Sequence, residues 1–404
     1  MPVPSSAKPR QARRSLAAGV AAALAWVILL GCGDVYRPVA NPVLKPGGDP
    51  QTTRVALVLS NNSGAPGMST VVDVSGDTNI GNFVVGRAPV HVALKSATLA
   101  LVANKNDDTV SLFNPTTQGS PVLTITLPAG SAPVFLGSTE GAIVYVANSE
   151  TNSVGVISVT QAIQQSSLPV GRTPVALAET PDATRLYSVN QGDGTVTAIS
   201  PSNGSVLATI PVGNSPVAAA MNASGSTLYV ANQGSGTVSV IDTASNIVTA
   251  TLATGPSPRF LVYDSHLRRL YVANTGANTI SVFNADVGLT PLATVTVDAG
   301  PASIAPLADG TRVYVANAGC SDAVNLAGCS GNTVTVVDAL SFAIRKTITV
   351  GSAPVSLVAD PQSTKVVVAN RDSNSISSIR TSDDTVVNTL ASGSPQPTFV
   401  VVSP

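Results

Sequence analysis

Histidine can act as a general base, a proton shuttle or a metal ligand, and this chain of 404 residues has two, His91 and His266. Its three cysteines, Cys32, Cys320 and Cys329, could bind metal, form a disulfide or carry a modification. Neither set has the spacing of a reactive motif. There is no Cys-x-x-Cys-His for haem attachment, no His-Glu-x-x-His, and no glycine-rich phosphate loop followed by Lys and Ser or Thr. The abundant Ser and Thr have no adjacent His to activate a nucleophile. Cys320 and Cys329 lie in one loop, and the expectation for an exported chain is that they form a disulfide. Two cysteines without a nearby His cannot complete a zinc shell, so no metal or other cofactor is expected.

The acidic residues follow a pattern that argues against acid–base work. Asp73, Asp242 and Asp338 recur at equivalent places, where Asn114 and Asn284 stand in other segments. A role that Asn fills equally well is turn chemistry, because both side chains accept hydrogen bonds from nearby backbone. No residue is therefore assigned as catalytic.

The elements that would position these residues form a repeat. Segments reading LVLSN, ALVAN, VYVAN, LYSVN, LYVAN, LYVAN, VYVAN and VVVAN end at Asn61, Asn104, Asn148, Asn190, Asn232, Asn274, Asn317 and Asn370. A period in the low forties is the signature of a repeat architecture. One unit, from Gly213 to Gly255, contains four short apolar runs separated by Asn-Ala-Ser-Gly, Gln-Gly-Ser-Gly and Ser-Asn turns. A proline opens each unit's first run: Pro89, Pro133, Pro174, Pro216, Pro258, Pro301, Pro354 and Pro397. Proline cannot donate to a ladder, so it belongs at a strand start. Hydrophobic residues make up 44% and aromatic residues only 4%, so the apolar material is Val, Ala, Leu and Ile, suited to thin, closely stacked sheets.

Four-stranded antiparallel units in series predict an all-β fold, a β-propeller over residues 55–404. Eight blades are expected, with seven as the alternative. The first unit starts at Val55 without a leading strand, and the chain ends on Pro397 to Val402, a leading strand with nothing after it. One completes the other, so pairing of the two terminal strands is expected to close the ring and protect the sheet edges. His91 falls two residues after Pro89 on a predicted inner strand, where other units have Phe135, Ala176, Ala218, Phe260, Ser303, Ser356 and Phe399. A structural role for it is preferred over a catalytic one. His266 lies in a turn beside Arg268 and Arg269 and is read as solvated.

Departures from the repeat are more informative than the repeat. The connection from Asn61 to Thr70 and that from Asn317 to Thr333 are enlarged, and both are expected on one face, flanking blade 8. Arg87, Arg172 and Arg259 are expected on inter-blade loops of that face, with Asp298 and Asp322 and the channel residue His91 completing a candidate binding face.

The repeats resemble the YVTN-family β-propeller repeat. Tyr-Val-Ala-Asn stands at residues 145–148, 229–232, 271–274 and 314–317, accompanied by Thr-Val-Ser-Val-Ile-Asp at 237–242 and Thr-Ile-Pro-Val-Gly at 209–213. The resemblance implies the propeller and says little about activity, because related propellers serve as lactonases, as quinoprotein subunits and as the haem-d1 domain of nitrite reductase.

The N-terminus reads as an export signal. Lys8, Arg10, Arg13 and Arg14 precede an apolar stretch from Leu16 to Leu30, too short for a comfortable membrane span. Leu29-Leu30-Gly31-Cys32 resembles the bacterial lipobox, which implies cleavage after residue 31 and lipidation of Cys32. Residues 32–54 are a Pro-containing tether. Loss of residues 1–31 leaves 17 of the 21 basic residues against 22 acidic ones, which argues against nucleic acid as a partner.

Three functions are thus weighed. The first is an exported, lipid-anchored scaffold in the cell envelope, at the outer membrane or facing the periplasm, that binds a protein or glycan. The second is a lactonase-like hydrolase or cofactor-dependent oxidoreductase subunit. The third is a structural surface-layer component.

Overall fold

The computed structural model describes residues 54–62, 64–137, 141–286, 288–320 and 329–403. The expected signal, Cys32 and the tether up to residue 53 therefore lie outside the described residues, as does Asp322.

The described residues form eight four-stranded antiparallel sheets. Within the unit from Cys32 to Pro404, the eight inner strands meet in order around a closed ring. They are β4 (Pro89–Ser96), β8 (Pro133–Gly137), β12 (Pro174–Glu179), β16 (Pro216–Met221), β20 (Pro258–Asp264), β24 (Pro301–Pro306), β28 (Pro354–Ala359) and β32 (Pro397–Val402). The fold is an eight-bladed β-propeller, and the seven-bladed alternative is excluded.

Ring closure follows the sequence expectation. Blade 1 has the order β3-β2-β1-β32, with β1 at Val55–Asn62, β2 at Ala65–Asp73 and β3 at Thr78–Arg87. The C-terminal β32 pairs antiparallel with the N-terminal β1, from Ala56 opposite Val402 to Ser60 opposite Pro397. Val55 N–H donates to Ser403 Oγ at 3.0 Å, and Ser403 N–H donates to the Val55 carbonyl at 2.8 Å.

The two central strands of each blade are buried on both faces, as in β17 (Thr227–Asn232) and β18 (Thr237–Asp242). Neighbouring blades cover both faces, so these strands lose the usual polar–apolar alternation. The outermost strand β19 (Ile247–Ala253) keeps it, because its outer part faces solvent.

The repeated Tyr and Asn hold opposite ends of the blade. Asn232 is fully buried, and its amide donates to Thr237 at 3.1 Å and Ser239 at 2.9 Å on the next strand. Asn104, Asn190, Asn274, Asn317 and Asn370 make the same two bonds. Glycine fits beside this clamp because nothing larger can. A Cβ on Gly213 would come within 2.7 Å of the Asn232 side chain. At the far end, the buried Tyr187 hydroxyl donates to the Thr243 carbonyl and to Asn246 of the next blade.

Blade 1 corrects the sequence alignment by one residue. Pro89 pairs with Asn104, whereas Pro397 pairs with Ser60. Ser60, not Asn61, therefore occupies the clamp position. The adjacent residue confirms the register. In every blade the residue before the proline aims its carbonyl at the N–H that follows the clamp, as Ala88 does to Lys105 and Gln396 does to Asn61. Seven of these pre-proline residues are non-glycine with φ between 45° and 56°: Ala88, Ala132, Thr173, Ser215, Ser257, Ala353 and Gln396. The left-handed conformation costs roughly 1–2 kcal/mol per residue. The repeated carbonyl-to-amide bond and blade packing offset it.

The aspartates do what turn chemistry predicts. Asp242 accepts from Ser245 N–H at 2.7 Å and Asp338 from Ser341 N–H at 2.9 Å, while Asn114 accepts from Thr116 N–H at 3.0 Å. These bonds favour the ionised carboxylate. That from the Ser341 backbone is the largest of those holding Asp338 down to about 2.

The blade 5 site lacks a cap that several of its siblings have. Asn152 Oδ1 accepts from Thr173 N–H at 2.9 Å and Asn278 Oδ1 from Gly300 N–H at 2.9 Å. The equivalent position in blade 5 is Gly236, at φ +65°. Asn tolerates that conformation, and only the Gly255 carbonyl oxygen lies within 4 Å of a Cβ built there. Gly236→Asn is therefore expected to stabilise the fold by about 0.5–1.5 kcal/mol through one new hydrogen bond. The guanidinium unfolding midpoint checks this, and an unchanged or lower midpoint contradicts it.

Candidate functional site

The prolines and the loops joining the second and third strands of each blade lie on one face of the ring. On this proline face the sequence candidates meet different fates.

His91 sits in the channel wall rather than at its mouth. It is 5% exposed, and its ring lies between Phe135 and Phe399 of the two neighbouring inner strands, at centroid distances of 4.0 Å and 4.7 Å. Its Nδ1 accepts from Leu136 N–H at 3.3 Å. Ser303 and Ser356 occupy the same position in blades 7 and 8 and accept from Leu357 N–H and Val400 N–H, each at 3.3 Å. His91 thus performs a repeated task, tying one inner strand to the next. Burial pushes its pKa down to about 3, so the ring is neutral across the physiological range. His266 is exposed in its turn, as expected, with its N–H donating to Asp264 at 2.9 Å.

Arg172 stands on an inter-blade connection, whereas Arg87, expected there too, is the last residue of β3; each is engaged with an aspartate of the loop beside it. Arg87 N–H donates to Asp107 at 2.6 Å and Arg172 N–H to Asp193 at 2.6 Å, and each guanidinium pairs with the same carboxylate. The backbone bond from Arg172, followed by its side-chain bond, holds Asp193 below the usual carboxylate range. Arg259 differs from expectation. It is the second residue of β20, not a loop residue, because the strand begins at Pro258. Asp298 accepts from the Thr333 hydroxyl at 2.6 Å, which ties the loop entering blade 7 to the strand that follows the enlarged loop.

Cys320 and Cys329 form the expected disulfide. The bridge packs on Ala302, Ala353 and Val355, at the starts of the inner strands of blades 7 and 8, and on Ala318, which follows the clamp Asn317. The blade 1 insertion is not an irregular loop. It lengthens β1 and β2, which stay paired from Ser60 opposite Met68 to Asn62 opposite Ala65. This extended hairpin crosses toward blade 2, where a Cβ on Gly67 would come within 2.4 Å of Pro89. In ring order, blades 7 and 1, which carry the two enlarged connections, stand on either side of blade 8, whose loop on this face carries Arg371, Asp372, Ser373 and Asn374. Arg371 pairs with Asp372 there.

Sequence reasoning missed two parts of this face. The hydroxyl seven residues after the clamp Asn was legible in Ser111, Thr197, Ser239 and Ser281 but was not read. The stacking of His91 with Phe399 was not legible, because it joins the two ends of the chain. Among the described residues, no three His, Cys, Asp or Glu side chains gather as a metal site.

Together these features define a β-propeller with one elaborated face. Comparisons agree at the level of fold. A family model described as lactonase, 7-bladed beta-propeller, matches residues 242–402, although this ring has eight blades. No curated protein matches the chain in sequence. Among solved structures, dihydro-heme d1 dehydrogenase NirN in complex with DHE is 14% identical, over 90% of this chain and 78% of that one, at a TM-score of 0.71. Kuenenia stuttgartiensis hydrazine synthase is 18% identical, over 72% of this chain and 95% of that one, at 0.58. A candidate 6-phosphogluconolactonase of Bacteroides fragilis is 15% identical, over 88% of this chain and 100% of that one, at 0.57. At such identities the likeness establishes the fold alone.

Proposed function

We propose that this chain is an exported, lipid-anchored propeller that binds a protein or glycan partner on the proline face, in the sector of blades 7, 8 and 1. The observation carrying this reading is the gathering of both enlarged connections on either side of one blade, on one face. A rigid ring that presents irregular loops from one sector is the usual geometry of a recognition site. The residues that might have done acid–base chemistry hold the fold instead: His91 ties inner strands and Asp298 holds Thr333. The lipobox-like Leu29-Leu30-Gly31-Cys32 supports the anchor. A photo-crosslinking residue at Ser373, in the blade 8 loop, should capture a defined partner in the native cell. The same residue at Ser245, on the opposite face, should not. Replacing residues 319–331 by the short blade 5 loop should abolish the Ser373 adduct. Equal capture at both positions, or capture that survives the replacement, overturns the reading.

A lactonase-like hydrolase is the second reading, favoured by the family match over residues 242–402 and by the Bacteroides fragilis relative. Hydrolysis of sugar-acid lactones by the purified chain above the buffer rate supports it, and no turnover across a γ- and δ-lactone series removes it.

A further inference from the structure

We propose that the rim of the ring opposite the prolines, in the sector of blades 2 to 5, rests on the surface of a lipid bilayer. The inference rests on the lipid anchor proposed above and adds an orientation to it, with the proline face pointing away from the membrane.

The exposed apolar side chains are unevenly placed. Of the large ones exposed among the described residues, all but Val84 stand in or next to the turns that join third and fourth strands. Those turns lie opposite the prolines, as the pairing of Asp242 with Ile247 shows in blade 5. Leu123 opens β7 (Leu123–Thr126), Ile163 opens β11 (Ile163–Pro169), Val206 and Leu207 open β15 (Val206–Pro211), and Ile247 opens β19. These five are between 45% and 60% exposed. Toward the proline face the exposed residues of the same strands become polar, at Thr126, Ser167, Thr209 and Thr251. The rim thus grades from aliphatic to hydroxyl along each outer strand. A surface sunk slightly into the boundary between headgroups and acyl chains needs that order.

The charge pattern agrees. Residues 114–126, 158–169 and 200–211 form the turns and outer strands of blades 2, 3 and 4, and they contain no Asp, Glu, Lys or Arg. The same stretch of blade 5 adds only Asp242. Charged groups are costly to move toward an apolar phase, so this sector can approach one at the least cost. On the same face blades 8 and 1 are charged instead, with Arg380 paired to Asp383 and Lys365 to Asp77.

The chain enters the ring on this face. Val55 stands opposite Asp73, Val74 N–H donates to the Arg54 carbonyl at 3.1 Å, and the Arg54 guanidinium is held by Asp360, just past the end of β28. Twenty-two residues separate Arg54 from Cys32, a reach of at most about 75 Å. A lipid on Cys32 would keep a bilayer within that span of the rim. Docking is then intramolecular, at an effective concentration on the order of a millimolar, where weak apolar contacts suffice.

Fluorescence quenching tests this in the full chain, processed in its native cell and reconstituted with vesicles. The one tryptophan of the sequence, Trp26, lies in the expected signal, so an introduced tryptophan reports alone. Leu207→Trp should lose most of its emission when the phosphatidylcholine of the vesicles is brominated in its acyl chains. Lys105→Trp, at an exposed position on the proline face, should keep its emission. Adding Leu123→Ser, Ile163→Ser and Ile247→Ser to Leu207→Trp should restore the emission at an unchanged unfolding midpoint. Equal quenching at both positions, or quenching that survives the three serines, overturns the docking. So does an unquenched Leu207→Trp on a chain whose Cys32 carries lipid by mass, and the anchor then stands alone. A chain without lipid on Cys32 overturns the anchor, and this orientation with it.

Discussion

His91→Ser is expected to make the propeller markedly less sensitive to acid. In the folded protein the buried ring has its pKa pushed down to about 3 from the ordinary 6.5. The unfolded chain therefore binds one more proton than the native state between pH 6.5 and 3. Stability rises with pH wherever the unfolded state holds more protons, so it falls as the pH drops through this window. The loss is about 3 kcal/mol by pH 4 and saturates below pH 3, at 1.36 kcal/mol per pH unit. Ser is chosen because Ser303 and Ser356 accept the same backbone N–H at this position in their own blades. His91→Phe serves as a second variant, since Phe260 and Phe399 also occupy the position. It leaves Leu136 N–H without its acceptor and should cost about 1 kcal/mol at neutral pH. Unfolding midpoints between pH 4 and 7.5 check this. The wild-type curve should fall more steeply than either variant down to pH 4. The carboxylates held low by turn bonds, such as Asp338, add their own loss only below about pH 4, and equally in all three proteins. Parallel curves for wild type and both variants would refute the assignment.

Deleting residues 397–403 should abolish cooperative folding. The deletion removes β32 and its pairing with β1. It also removes Val400, Val401 and Val402, which are 3%, 7% and 4% exposed. At about 1.5–3 kcal/mol for each buried side chain, that loss approaches the whole stability of an ordinary domain. The cut would leave an unpaired inner edge on blade 1, a site for aggregation. A circular permutant separates closure from chain content. Residues 403 and 54 can be joined by a short linker, because Ser403 and Val55 are already hydrogen-bonded. New ends placed between Gly213 and Asn214 leave every blade intact. This permutant should form the same ring with a lower thermal midpoint than the native chain, since no terminal strand then locks the first blade to the last. Cooperative unfolding of the truncated chain at the native midpoint would show that β32 contributes little.

Other ties across the closure explain why blades 8 and 1 hold together. Lys365 pairs with Asp77, 288 residues away, and Arg54 pairs with Asp360 at 2.7 Å with both side chains largely buried. Each links the first blade to the eighth on the face opposite the prolines. Truncating one partner would strand the other in poor solvent, which costs more than the pair contributes.

The sequence by itself determined the repeat, the four strands per unit, the proline at each inner strand, the eight blades and the strand exchange at closure. It could do so because these depend on spacing and residue type within one blade, where neighbours in space are also neighbours in sequence. It also foresaw that Asp242, Asn114 and their equivalents are turn residues, because a turn is closed within a few positions. Only the tertiary structure decided that Ser60 takes the clamp place in blade 1, because that register is set by Pro397 at the other end of the chain. It alone placed His91 between Phe135 and Phe399, and made the Asn61–Thr70 connection a longer hairpin rather than a loose loop. Contacts between blades depend on how the ring closes, and closure brings together residues that no local pattern relates.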